Sequence, residues 1–170
     1  MKQRKRIISN KKLRGEWAEL CFMVRAAEHG LPVAKPWGEM KGYDLVAGRP
    51  GHFVAVQVKS TTCELGAGYA CTLRGGQGRR YPRGSFDFLA GYVVHEDCWY
   101  IIPEEAVEGM ERISLASDSE RAHYEKYREA WHLLKAVGPV RKKIKRIQAC
   151  AGELPAEELP VFWVESAPSL

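Results

Sequence analysis

One segment constrains the fold more than any other, residues 53–60, which read Phe-Val-Ala-Val-Gln-Val-Lys-Ser. Valine recurs at every second position, and this alternation is typical of a β-strand with one buried face. Val54, Val56 and Val58 are therefore predicted to face a core. Gln57 and Lys59 then lie on the opposite face, roughly 6–7 Å apart along the strand. Because unpaired polar groups on a central strand cost free energy, these two side chains are expected to have partners.

Two acidic residues can supply those partners. Asp44 lies on a predicted strand, residues 43–47, and the turn at residues 48–51 would let it face Gln57 in an antiparallel pair. Glu16 lies on a predicted helix, roughly 60–70° from the centre of its apolar stripe at about 100° per residue, and leans toward the sheet. Its neighbour Glu19 is predicted to face solvent. Two carboxylates, an amide and an ammonium group can thus converge, a combination suited to a divalent-metal site with a neighbouring lysine.

The remaining pattern predicts a mixed α/β domain with a central sheet. The first helix is predicted over about residues 11–29, capped by Ser9 or Asn10 and ended by Gly30, with an apolar stripe of Leu13, Trp17, Leu20, Val24 and Ala27. Further strands are predicted at residues 32–35, 69–73, 86–94 and 98–103. The capping box formed by Ser117 and Glu120 predicts a second helix through about Lys135. Helix, strands and helix in this order favour an α/β core, here predicted to span residues 11–137.

Basic residues concentrate in three segments that contain no acid. Residues 1–14 hold seven, residues 72–84 hold four and residues 141–146 hold five. The rest of the chain has 10 cations against all 21 acids, although the whole chain carries +5. Basic surfaces on an otherwise acidic body predict a polyanionic partner. We expect a basic arm at residues 1–10, a mobile basic loop in the glycine-rich segment 64–84, and a basic extension at residues 138–170.

Several classes of protein are not favoured. No run of 18 apolar residues is present, so a membrane span is not expected. No apolar segment with a cleavage site follows the basic N-terminus, so we expect a cytoplasmic rather than a secreted protein. The five cysteines form no CxxC pair, and we interpret them as reduced thiols that mostly fill the core.

Three short motifs carry a family resemblance. In chain order they are GEWAEL at residues 15–20, GYDL at 42–45 and QVKST at 57–61. They resemble the PD-(D/E)xK nuclease superfamily, with Tyr43 in place of proline and Gln57 in place of the usual acid. The glutamine form is similar to the intron-associated homing endonucleases, whose relatives include archaeal Holliday junction resolvases. Residues 86–92, 99–103 and 126–131 also resemble the later elements of that branch, so the resemblance covers about residues 11–135.

The resemblance implies a restriction-endonuclease-like core, a central mixed sheet flanked by helices, and a metal-dependent DNA endonuclease. It implies Glu16, Asp44, Gln57 and Lys59 as catalytic residues. It also implies Mg²⁺ held by Asp44, the Gln57 oxygen, the Val58 carbonyl and Glu16, with Mn²⁺ expected to substitute. Lys59 would orient or deprotonate the attacking water.

The substrate is expected to be double-stranded DNA, and a homo-oligomer, dimer or tetramer, is expected because one such site cuts one strand. The predicted DNA contacts are Arg79, Arg80, Arg83, Lys11, Lys12, Arg14, Arg141, Lys142 and Lys143. Two alternatives stay open. One is a junction-selective resolvase, and the other is a nucleic-acid-binding module without activity, in which Gln57 marks a decayed site.

Overall fold

The computed structural model describes residues 8–38, 42–75, 78–116 and 121–135. These residues form one α-helix, α1 (Lys11–Glu28), and eight β-strands. In chain order the strands are β1 (Val33–Ala34), β2 (Leu45–Arg49), β3 (His52–Thr61), β4 (Glu64–Leu65), β5 (Gly68–Thr72), β6 (Phe88–Val93), β7 (Cys98–Pro103) and β8 (Arg112–Leu115). They build a five-stranded sheet in the order β1-β2-β3-β6-β7 and a three-stranded sheet in the order β4-β5-β8.

The strand predicted most strongly, β3, lies at the centre of the larger sheet. It pairs antiparallel with β2, with Leu45 opposite Val56, and parallel with β6, with Gln57 opposite Leu89. Parallel neighbours need a long connection, and here the connecting chain forms β4 and β5 of the smaller sheet. The predicted mixed α/β sheet is therefore confirmed.

Hydrophobic side chains fill both faces of the large sheet. On one face Val54, Val56 and Val58 pack with α1, as the alternation predicted. The other face packs with the smaller sheet through residues such as Leu89 and Leu115. Burial on both faces holds β3 rigidly, so polar side chains on this strand have fixed positions.

The ends of α1 follow their predicted signals. The Oδ1 atom of Asn10 accepts the N–H of Leu13 at 3.1 Å, which caps the helix. At the other end Gly30 has a φ of +68°, and the N–H of Leu31 donates to the carbonyl of Ala26 at 2.9 Å. This is the pairing of a Schellman motif, in which glycine takes the left-handed position.

The predicted apolar stripe of α1 is wrong. Leu13, Leu20 and Val24 are exposed by 54 to 61%, whereas the helix buries Ala18, Phe22 and Ala26. At about 100° per residue the two stripes lie on opposite sides of the helix. The small side chains of the two alanines let the backbone of α1 approach the sheet closely. Because alanine is only weakly hydrophobic, the sequence pattern of this face is weaker than that of the exposed stripe of larger apolar residues.

The predicted second helix is also wrong within residues 121–135. This segment forms short 3₁₀ turns at Glu125–Tyr127 and Trp131–Leu134, and Glu129 between them has a φ of +48°. The carboxylate of Glu129 accepts the backbone N–H of Trp99 and the indole N–H of Trp131, each at 2.7 Å. Bonding to the sheet therefore replaces the helix, and the capping residues Ser117 and Glu120 lie outside the described residues.

The other strands differ from the predictions mainly at their ends. β7 has the predicted bounds, while β2 starts at Leu45 and continues to Arg49, two residues into the predicted turn. The short strand β8 was not predicted, although Ile113 and Leu115 alternate with exposed residues along it. In the ranges given above, no helix is long and apolar enough to cross a membrane.

The corrected face of α1 generates a stability prediction. Phe22→Ala should lower the free energy of unfolding by about 3–5 kcal/mol, because it leaves a cavity in the core. Leu20→Ala, a change on the exposed face, should alter it by no more than about 0.5 kcal/mol. Chemical denaturation of both variants measures the difference, and a larger loss for Leu20→Ala would contradict this orientation of the helix.

Candidate active site

Asp44 joins the beginning of β2 to the middle of β3. Its backbone N–H donates to the carbonyl of Val56 at 3.0 Å, which extends the antiparallel pairing by one residue. Its carboxylate oxygen Oδ2 accepts the backbone N–H of Val58 at 2.8 Å and the side-chain N–H of Gln57. The structure therefore brings Asp44 and Gln57 together as the strand pairing predicted.

The amide of Gln57 is buried, with 4% of the residue exposed. Besides its bond to Asp44, its Nε2 atom is 3.3 Å from the carbonyl oxygen of Val58. One amide nitrogen thus bridges a carboxylate oxygen and a carbonyl oxygen. These two oxygen atoms converge on one point of the sheet, beside the polar end of Gln57.

Lys59 lies two residues further along β3 and is half-buried. Its ammonium nitrogen Nζ is 5.2 Å from the centre of the Tyr81 ring, a cation–π distance. The charge of Lys59 is among those that lower the pKa of Asp44. The ammonium group therefore acts electrostatically on the carboxylate without an ion pair between them in the described structure.

Glu19, and not Glu16, is the α1 carboxylate with a partner in this region. Its side chain is 18% exposed and accepts a bond from the Nζ of Lys35 at 2.7 Å, so the prediction that Glu19 faces solvent is wrong. Glu16 is exposed. When the angle is measured from the true core stripe, Glu19 lies about 60° from its centre and Glu16 about 120°. Because the predicted stripe lies on the wrong side of α1, Glu16 was predicted to lean toward the sheet and Glu19 to face solvent. The structure shows the opposite exposure for the two side chains.

A cavity of about 540 Å³ opens beside these groups. The two α1 glutamates and Asp44 line it, together with Lys35, Pro36, Trp37, Gly38 and Tyr43. Lys35 was not singled out in the sequence, because it lies far from the motifs and reaches the site only through the pairing of β1 with β2. The cavity is open to solvent, and four charged side chains are among the residues that line it.

The environment of Asp44 favours its protonated form. Burial raises the pKa of this carboxyl from 3.8 to about 6 and outweighs the N–H of Val58, which lowers it. The charge of Glu19 raises the pKa further, and the ammonium groups of Lys59 and Lys35 lower it. The Glu19 carboxylate in turn raises the pKa of Lys35. The charge of Glu16 also raises the pKa of Lys35, so three carboxylates and two ammonium groups are electrostatically coupled at this site.

The residues of this site could bind a hard divalent cation only if neutral oxygen atoms act as ligands together with the carboxylates. Within the described residues, no three His, Cys, Asp or Glu side chains lie close enough to hold a metal. The site does offer the Asp44 carboxylate, the Val58 carbonyl and an amide, with the Glu19 carboxylate near them. Oxygen atoms of these types are the ligands that Mg²⁺ prefers.

The predicted DNA-contact residues have different surroundings. Arg80 binds Glu111 at 2.7 Å, and Arg83 binds Glu108 at 3.1 Å, while Arg79 is exposed. Arg74 also binds Glu111 and pairs with Arg80 across an isolated β-bridge, so these two residues of the glycine-rich segment have defined partners.

The basic residues at the start of α1 are partly free for binding. Lys11 and Lys12 are exposed, and the Arg14 guanidinium donates to the carbonyl of Ile8 at 3.2 Å. No acidic residue occupies this first turn, although a helix N-terminus favours negative charge. Three further predicted contacts, Arg141, Lys142 and Lys143, lie outside the described residues.

The raised pKa of Asp44 predicts a pH-dependent stability. The folded state binds the proton more tightly than the unfolded chain, so ionising Asp44 above about pH 6 costs stability. Asp44→Asn removes this cost and keeps an oxygen for the N–H of Val58. With EDTA present, the variant should be more stable than the wild type by about 1–2 kcal/mol at pH 8. The difference should shrink between about pH 6 and pH 4, and a difference independent of pH would contradict the assignment.

Comparison with known proteins agrees with this geometry. The model of the PD-(D/E)XK endonuclease family matches residues 9–134. No curated protein sequence matches the chain. Seven chains of solved structures match it, among them a bacterial homing endonuclease, I-Ssp6803I, at 32% sequence identity and a TM-score of 0.62, with 74% of this chain and 91% of that chain covered. The chain therefore belongs to the PD-(D/E)XK endonuclease family.

Proposed function

We propose that this endonuclease hydrolyses phosphodiester bonds of double-stranded DNA and requires a divalent metal ion, Mg²⁺ with Mn²⁺ as a substitute. The observation that carries the proposal is the group formed by Asp44, Gln57 and Lys59, which the pairing of β2 with β3 holds beside an open cavity. The similarity to a homing endonuclease favours a duplex substrate over a four-way junction.

Four groups would hold the metal ion. They are the Asp44 carboxylate, the Val58 carbonyl, the Gln57 amide oxygen and a glutamate of α1. Gln57 now points Nε2 at the other two oxygens, and rotation of its amide plane would present Oε1 in that place. Bound Mg²⁺ would lower the pKa of a water molecule and offset charge on the phosphate. For the glutamate we favour Glu19 over Glu16, because Glu19 is less exposed and its charge acts on Asp44.

The two lysines that act on Asp44 would have different roles. Lys59 is proposed to donate from Nζ to the scissile phosphate or the attacking water, and the Tyr81 ring restricts the directions its ammonium group can take. Lys35 is proposed as a positioning residue. Its bond at 2.7 Å orients the Glu19 carboxylate, and it offsets the repulsion between Glu19 and Asp44.

DNA binding is proposed to use the exposed basic residues around the site. Lys11, Lys12 and Arg79 are exposed and available for phosphate contacts. Arg80 and Arg83 would exchange their bonds to Glu111 and Glu108 for phosphate oxygens, which lowers their net contribution. A homo-oligomer, dimer or tetramer, is proposed because cutting both strands of a duplex requires two such sites.

Loss of the central groups should abolish cleavage. Asp44→Asn and Lys59→Ala should each reduce the rate of plasmid nicking in Mg²⁺ by at least about a hundredfold, since each removes a charge that acts at the reacting phosphate. Glu19→Gln should reduce the rate more than Glu16→Gln. Nicking is followed on agarose gels with Mg²⁺, Mn²⁺ and EDTA, and a parallel four-way junction substrate tests the resolvase alternative.

The matched control for these acids is Glu64→Gln, an exposed residue of β4 outside the cavity, which should cleave like the wild type. If Asp44→Asn and Lys59→Ala both cleave at the wild-type rate, the active site lies elsewhere. If the wild type binds DNA but cleaves neither substrate with any metal, the chain is a binding module without activity.

The basic loop generates a separate prediction about salt. Replacing Arg79, Arg80 and Arg83 together by Ala should weaken DNA binding on any sequence and flatten the dependence of log K on log salt. Each arginine–phosphate ion pair that the substitutions remove should reduce the slope by up to about 0.9. The change should be smaller than three full ion pairs would give, because Arg80 and Arg83 already have carboxylate partners. Fluorescence anisotropy at several salt concentrations measures the slope, and an unchanged slope removes the loop from the interface.

A further inference from the structure

Trp37 is the most exposed large hydrophobic residue in the part of the chain described. Its relative exposure is 101%, and it lines the same cavity as Asp44 and Glu19. The other tryptophans of the described residues pack against the core, where Trp99 and Trp131 are 1% exposed. A tryptophan presents a large apolar surface, and its exposure to water is unfavourable unless a partner covers it.

The two neighbours of Trp37 determine the course of the chain at this point. Pro36 precedes it and fixes its own φ near −65°. Gly38 follows with a φ of +82°, a conformation that glycine adopts without the strain other residues would meet.

We propose that Trp37 contacts the nucleoside next to the scissile phosphate. This inference rests on the proposed function, because it takes the phosphate to Asp44 and Lys59. Trp37 lines the cavity that holds Asp44, so DNA whose phosphate enters this cavity can contact the indole. In a duplex the base faces are already stacked on one another, so the indole is proposed to pack its apolar surface on the sugar of this nucleoside.

The cavity that the indole shares with Asp44 and Glu19 points to DNA as the occupant, because the substrate of the proposed endonuclease must enter that cavity. Lys35, two residues from Trp37, contributes one cation, and its ammonium group also binds Glu19 at 2.7 Å. A second copy of this chain is the competing occupant, and measurement of the oligomeric state separates the two.

The test compares Trp37→Ala and Trp37→Phe with the wild type. Binding of a short random-sequence duplex is measured by anisotropy with Ca²⁺ in place of Mg²⁺. Trp37→Ala should weaken binding about tenfold, or about 1.4 kcal/mol, because it removes most of the apolar surface that the indole would bury against the DNA. Trp37→Phe should stay within about threefold, because phenylalanine keeps an aromatic surface at this position. The slope of log K against log salt should not change, because no charge is removed.

The matched control is Phe53→Ala, an aromatic residue of β3 that is 52% exposed and does not line the cavity. It should bind DNA like the wild type. Acrylamide quenching supplies a second measurement: DNA should protect a fluorescent population in the wild type that is missing in Trp37→Phe.

Three outcomes contradict the inference. If Trp37→Ala binds as tightly as the wild type, Trp37 does not contact DNA, while the nuclease proposal stands through Asp44 and Lys59. If Trp37→Ala changes the molar mass in light scattering, the indole covers a second copy of the chain. If the wild type neither binds nor cleaves any DNA, the proposed function fails and the inference fails with it.

Discussion

The carboxylate of Asp44 is the group on which the arrangement of the site depends. It lies before the first residue of β2, yet it accepts the backbone N–H of Val58 and the amide of Gln57, both on β3. These bonds connect the loop that enters the sheet with its central strand. Because β3 is packed on both faces, the carboxylate has a fixed position at the wall of the cavity.

Much of the candidate site could be predicted from the sequence, because Asp44, Gln57 and Lys59 lie on or next to two consecutive strands. Alternation along β3 sets which residues share a face, and a short turn sets which residues of β2 and β3 are opposite each other. In the observed register, in which Leu45 is opposite Val56, Asp44 is opposite Gln57. The alternation along β3 also singled out Lys59, while the family resemblance added the order of the motifs and the expected roles, and the family match confirms the resemblance.

The features that the sequence did not reveal depend on tertiary contacts. The orientation of α1 is decided by how closely Ala18 and Ala26 let it approach the sheet, whereas the residues of the exposed stripe are larger and more hydrophobic. One error in that orientation placed Glu19 in solvent and Glu16 nearer the sheet, whereas Glu19 is the less exposed of the two. The prediction of a second helix was wrong for a similar reason. The carboxylate of Glu129 accepts hydrogen bonds from Trp99 and Trp131, and these contacts favour an irregular chain over a helix.

The neutral amide of Gln57 has a consequence for the order of binding. Three carboxylates, Glu16, Glu19 and Asp44, line the cavity with the ammonium group of Lys35, and Lys59 is close enough to act on Asp44. The formal charges of these groups leave one negative charge, and an acid at position 57 would add a second and repel a phosphate more strongly. The neutral amide would therefore make DNA binding at the proposed site depend less on a metal ion that is already bound.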